Sequence, residues 1–195
     1  LAIHILADRG LIDYDTPAAT YWPAFGQHGK DRITVAQVLS HQAGLHAMPA
    51  GPFRTESITD WAAGIKRMED GVPAYEPGTS TGYHAVTHGW LAGGMVQGAS
   101  GRHIKEVIAT EIAAPLGVAD SMFVGIPDGL ESRLTTLEIH PAGEGLGLPA
   151  DSDFHKAMPL DMWDNFNSMP IRQACLPSGN GHFTARALAK MYSAL

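Results

Sequence analysis

Gly78-Thr79-Ser80-Thr81-Gly82-Tyr83-His84-Ala85-Val86-Thr87-His88 concentrates three patterns that could do chemistry. Ser80 sits in a Gly-x-Ser-x-Gly frame, the frame of a nucleophile elbow, where a serine on a sharp strand-to-helix turn exposes its hydroxyl. His84 and His88 lie four positions apart, the spacing at which two imidazoles share a helix face and can hold zinc. Tyr83 stands where a loop of small residues gives way to an apolar, helix-like run, and its phenol is a group that could pass a proton.

Context separates the three. An elbow serine needs an apolar strand before it. Gly71-Val72-Pro73-Ala74-Tyr75-Glu76-Pro77 precedes Ser80 instead, and its two prolines remove amide donors that a central strand requires. The glycines around Ser80 then read as turn residues. A zinc-protease helix carries Glu directly after its first His, and here that position is Ala85. His41 and His46 form the next closest pair, with no cysteine cluster or carboxylate set beside them. No metal and no cofactor are expected, and the histidines read as hydrogen-bonded structural groups. Tyr83 is the residue left to explain.

The elements that must position it follow from punctuation and period. Leu1 to Ala7 is apolar from its first residue and reads as the middle of a helix, ending at Arg9-Gly10 with Gly10 left-handed. Thr34-Val35-Ala36-Gln37 fits a capping box and opens a second helix that turns Val35, Val38 and Leu39 inward and stops near Gly44. A third helix is expected from about Thr59 to Met68, and a fourth from Tyr83 to Gln97. Gly89, Gly93 and Gly94 weaken that fourth helix by about 1 kcal/mol each, so it needs close packing to persist. Ile104, Val107, Ile108 and Ile112 follow the helical period with only Glu111 out of character, predicting a fifth helix from His103 to Ala114. Ser121 to Val124 reads as a short strand, and Thr184 to Leu195 as a last helix. Residues 140–181 show no period and are punctuated by Pro and Gly, the signature of a long irregular insertion or lid. Within it, Met158, Met162, Trp163, Phe166 and Met169 either form an apolar wall or pin the segment to the body.

At 195 residues the chain is a single domain with one core. A net charge of -7, with Lys and Arg scattered, argues against a nucleic-acid surface. No apolar run approaches the roughly 20 residues that span a bilayer. The single cysteine, Cys175, cannot form an internal disulfide, so nothing marks an oxidising compartment.

Four motifs occur in order. They are Gly10-Leu11-Ile12-Asp13-Tyr14-Asp15-Thr16-Pro17, then Ile33-Thr34 through Leu39-Ser40-His41-Gln42-Ala43-Gly44-Leu45, then Pro77-Gly78 with Tyr83, and finally Pro115-Leu116-Gly117. Together they resemble the serine β-lactamase and penicillin-binding-protein-like family, in its class C β-lactamase and carboxylesterase branch, over nearly the whole chain. The resemblance implies an α+β fold, of which this chain is mainly the α-rich region of a β-lactamase/transpeptidase-like domain, with most of the central antiparallel sheet absent. It implies acyl transfer to and from a serine on small-molecule esters or amides, without cofactor. Tyr83 matches the family tyrosine that handles the serine's proton. His84, Ala85 and Trp163 are the implied candidates for the substrate pocket.

The family's Ser-x-x-Lys nucleophile motif and its Lys-Thr-Gly or His-x-Gly strand do not occur in these residues. The expectation is therefore an internal piece of a larger hydrolase, inactive alone. Its rival is a non-catalytic binding or regulatory relative, or an inert truncation product. The family's Asn two positions after the tyrosine is Ala85 here, and a methyl cannot hydrogen-bond a substrate amide, so esterase chemistry is favoured over lactamase chemistry.

Overall fold

Residues 1–48, 54–138, 147–149 and 151–195 are described by a computed structural model. Helix α1 (Ala2–Asp8) buries Ala2, Ile3 and Leu6, and ends at Arg9 with Gly10 left-handed at φ +70°. The chain then turns on Asp13, whose carboxylate accepts from the amides of Asp15 and Thr16. It passes through α2 (Ala18–Tyr21) and a 3-10 turn over Pro23–Gly26. Thr34 caps α3 (Val35–Leu39). Its hydroxyl accepts from the Gln37 amide while the Gln37 side chain accepts from the Thr34 amide, the reciprocal pair that Thr-x-x-Gln leads one to expect.

Two helices replace the single one expected from Thr59 to Met68. These are α4 (Glu56–Thr59) and α5 (Trp61–Asp70), divided at Asp60, whose carboxylate accepts from the Ala63 amide and so begins the second. Around α6 (Thr87–Ser100) the rest is arranged: α1, α2, α3, α5 and the following helix α7 (Ile104–Val107) all pack on it. Its glycines are spaces for neighbours. A Cβ on Gly93 would lie 2.2 Å from the Trp61 ring, one on Gly94 2.4 Å from the Trp22 ring, and one on Gly98 2.1 Å from the Tyr21 carbonyl oxygen.

The start of α6 differs from expectation. It begins at Thr87, four residues after Tyr83, because the Ala85 amide turns back to the Tyr83 carbonyl and the His84 amide and ring bond to another loop. The fifth helix also differs. After α7 the chain widens into a π-helical turn over Ile108–Ala113. The buried side chains are Ile104, Val107, Ile112 and Ala113, with Ile108 only partly covered. Glu111, the residue out of character, faces two guanidinium groups, at 2.7 Å from Arg9 and 2.6 Å from Arg102.

Strand β1 (Met122–Val124) pairs antiparallel with β2 (Gly181–Phe183), Phe123 opposite His182. Between them, where the sequence shows no period, lie α8 (Asp153–Ala157), a 3-10 turn over Leu160–Asn165 and α9 (Met169–Gln173). Met162 and Phe166 belong to the main core, and Met158 and Trp163 pack partly against it, so these side chains tie the segment to the body. The first part of the expected irregular stretch, with His140, Pro141, Gly143 and Gly145, lies outside the described residues. Helix α10 (Ala185–Tyr192), capped by Thr184, closes the fold. Among the described residues no helix is long and apolar enough to cross a membrane.

Candidate active site

Two stretches of loop build the surroundings of Tyr83. The first follows α3. His41 adopts a left-handed conformation at φ +61° and Gly44 another at φ +73°, which swing the chain back across the end of α3. Gly44 has little alternative, since a Cβ there would stand 3.1 Å from Pro73 and from the Tyr75 carbonyl. The second stretch, 74–84, runs alongside. Ala74 N–H donates to the Gly44 carbonyl at 2.8 Å, Gly78 N–H to the Gln42 carbonyl at 3.0 Å, and Gly82 N–H to the His41 carbonyl at 3.1 Å.

His84 locks the two together from below. Its ring is fully buried. Nε2 accepts from the Leu45 amide at 3.0 Å, so the ring's proton sits on Nδ1, which donates to the Gly82 carbonyl at 2.5 Å. Burial pushes its pKa down to about 4. Both nitrogens are spent on backbone, so His84 forms the floor of the site and has no nitrogen to offer a substrate or a metal. The i, i+4 pairing with His88 on one helix face is not realised either, because His84 precedes α6.

Tyr83 therefore sits between two anchored residues. Gly82 is tied through its amide and carbonyl, and His84 through its amide and ring. The Tyr83 side chain itself is 60% exposed, and its hydroxyl has no hydrogen-bond partner among the described residues. Its ring meets the His41 ring edge-on, centroids 5.0 Å apart. His88, in the first turn of α6, also packs against the His41 ring, centroids 4.8 Å apart, and burial lowers its pKa to about 4. Ala85 is half-buried in the turn leading to α6, presenting only a methyl. Trp163 is placed elsewhere, against Phe166 and the core, and lines neither cavity described below.

Ser80 lies exposed in an irregular segment, with no strand before it and the next helix seven residues on, so the elbow geometry is absent. Reading the sequence missed two contributors. His41 figured as one of a histidine pair and as part of a motif, without a role of its own, although a non-glycine residue that must turn left-handed before Gln-Ala-Gly is where Asn, Asp or His is enriched. Ser178, whose hydroxyl donates to the Val86 carbonyl at 2.7 Å, fastens the loop before β2 to the start of α6 and carries no signature in the sequence.

Beside His88 opens a cavity of about 240 Å³, lined also by Leu39, Gly89, Pro177 and Phe183. A second, of about 270 Å³, lies on the other side of the small sheet, among Phe123, Phe166, Arg133, Arg172 and His182. A reachable phenol on a pinned loop, packed edge-on against an imidazole, can exchange a proton with a neighbouring hydroxyl.

Known proteins share this architecture. The chain is 34% identical to the esterase/beta-lactamase LipL of Mycobacterium tuberculosis over 99% of its own length and 47% of that protein's. A solved family VIII carboxylesterase superposes with a TM-score of 0.86 at 33% identity, covering 99% of this chain and 51% of that one. A penicillin-binding protein homologue from Caulobacter crescentus does so with a TM-score of 0.83 at 34% identity, over 99% and 51% of the two chains. The chain thus spans about half the length of these relatives, which accounts for a helical body with only two paired strands among its described residues. The Beta-lactamase family profile matches from residue 1 to residue 195, and with that match and these likenesses the chain belongs to the beta-lactamase family.

Proposed function

We propose that this chain supplies the tyrosine corner of a serine hydrolase that cleaves small esters through an acyl-enzyme, the nucleophilic serine and its lysine lying outside these residues. The observation that carries the reading is Tyr83 itself. It has an exposed hydroxyl on a loop anchored at the residues on either side, the combination that proton transfer needs. In the first half-reaction the serine oxygen bonds to the ester carbonyl carbon while its proton passes to the Tyr83 phenolate. When the tetrahedral intermediate collapses, the C–O bond to the alcohol breaks and Tyr83 returns the proton to the departing alkoxide. Water repeats the sequence to release the acid. A neighbouring lysine ammonium would favour the phenolate before each cycle.

Ester substrates are favoured because Ala85 offers no hydrogen bond to an acylamino side chain, and two of the relatives above carry esterase names. The test uses the whole protein and the 195-residue chain side by side. Each is given a chromogenic short-chain ester, a chromogenic β-lactam and a fluorophosphonate probe. The whole protein should hydrolyse the ester in preference to the lactam and take up one probe per chain. The 195-residue chain should do neither. Labelling of a serine within these 195 residues, Ser80 above all, would overturn the assignment.

A further inference from the structure

One residue contacts the candidate tyrosine and both of its neighbours in the chain. The His41 carbonyl accepts from the Gly82 amide just before Tyr83, at 3.1 Å. Its Nδ1 accepts from the His84 amide just after, at 3.2 Å. Its ring lies edge-on to the Tyr83 ring, and the Tyr75 hydroxyl donates to its carbonyl at 3.4 Å. This reach comes with a left-handed backbone at φ +61°, which strains a non-glycine residue and persists only where the surroundings impose it.

We propose that His41 is a positioning residue for Tyr83, holding the phenol in its working orientation only while the His41 imidazole is neutral. The proposal rests on the proton-transfer reading of Tyr83. Its chemistry follows from the bond at Nδ1. An Nδ1 that accepts must be bare, so the neutral ring carries its proton on Nε2. Adding a second proton places an N–H against the His84 N–H, two donors face to face, and the anchor after Tyr83 lets go. The titratable groups around His41 are Tyr75 and Tyr83 from the 74–84 stretch, His84 below it and His88 from α6. No carboxylate is among those contacts to stabilise an imidazolium, and burial lowers the pKa of His41. The site therefore keeps it in the neutral form that the geometry uses.

Three substitutions separate positioning from a plain loop role. His41→Asn tolerates the left-handed backbone and presents an amide oxygen close to where Nδ1 stands, but it does not titrate. His41→Ala loses the acceptor and the ring, and Tyr83→Phe removes the hydroxyl alone. In the whole protein, ester turnover by His41→Ala should fall by about 10–100-fold in kcat with KM within a few-fold, the scale of a misplaced catalytic group. His41→Asn should recover most of that loss and lack the acid fall-off expected of the wild type. In protein carrying ring-labelled tyrosine, the Tyr83 carbon resonances should follow the titration of the His41 imidazole, and lose that step in His41→Asn. Should His41→Ala fail to fold, the Asn variant and the wild-type titration still decide the matter. Full kcat in His41→Ala, an Asn variant that keeps the wild-type acid limb, or a Tyr83 resonance indifferent to His41 would each overturn the proposal. Undiminished turnover in Tyr83→Phe would instead overturn the reading beneath it, and the resonance experiment would still report on the His41 contact.

Discussion

Lowering the pH from 7 to 5 should destabilise this fold, and His84 should be one of the two main reasons, with His88. Its pKa is about 4 in the folded protein against an ordinary 6.5, because burial disfavours the charged ring. The unfolded chain therefore takes up the proton first as the pH falls. The stability that neutral His84 supplies is complete above about pH 6.5 and drains away as the pH approaches 4. Integrated from pH 7 to 5, a shift of that size amounts to about 2 kcal/mol from His84 alone. His88, also lowered to about 4, adds loss of the same sign. The paired carboxylates do not compete in this window. Glu111, held at about 2 by hydrogen bonds from Arg9 and Arg102, yields its stability only in stronger acid. Urea melts at pH 7, 6 and 5 measure the effect, with His84→Phe as the control. That variant should lose about 1–3 kcal/mol at pH 7 for the orphaned Leu45 amide. It should also show a visibly shallower decline with acid. Stability that stays level between pH 7 and 5, or a His84→Phe decline as steep as wild type, would refute the burial argument.

Other parts of the structure make equally specific demands. Gly98→Ala should destabilise by about 1–3 kcal/mol in thermal or urea melts, since its Cβ would meet the Tyr21 carbonyl at 2.1 Å, whereas helix propensity alone forecasts a gain of about 1 kcal/mol. Ile104→Ala should cost about 2–5 kcal/mol by the same measurement, and Lys105→Ala, whose residue is only partly covered, less than about 0.5 kcal/mol. Cys175, whose thiol pKa burial pushes up to about 12, should resist a thiol reagent in the native protein and react at once in denaturant.

The sequence was most legible where local chemistry decides the outcome. Gly10 after Arg9, the Thr34–Gln37 box and the strand at Met122 are each set by a few neighbouring residues, and each is found where those residues place it. The glycines of α6 signalled close packing, and the partners, Trp61, Trp22 and the Tyr21 carbonyl, are distant in sequence and visible only in the fold. Boundaries failed where a side chain bonds out of its own segment. His84 reaches to Leu45 and so keeps Tyr83 out of the helix, and Asp60 caps a new helix in the middle of an expected one. The π-helical turn over Ile108–Ala113 escaped because a regular 3.6-residue period cannot reveal an inserted residue, although Glu111 on the supposed apolar face was its trace. In the candidate site, Tyr83 was legible through motif resemblance. The roles of His41 and His84 were not, since hydrogen bonds across 40 or so residues leave no local pattern.

The central claim is that Tyr83 moves the proton of the nucleophile, and a comparison of two variants of the whole protein tests it most directly. Tyr83→Phe keeps the ring against His41 and removes only an exposed hydroxyl that has no hydrogen-bond partner among the described residues, so melting should barely change. Ester turnover should nevertheless fall by about 10²–10⁴-fold, the usual worth of a positioned acid–base group. Ser80→Ala, in an exposed segment without elbow geometry, should stay within a few-fold of wild type. Near-normal turnover by Tyr83→Phe together with its loss in Ser80→Ala would contradict the account.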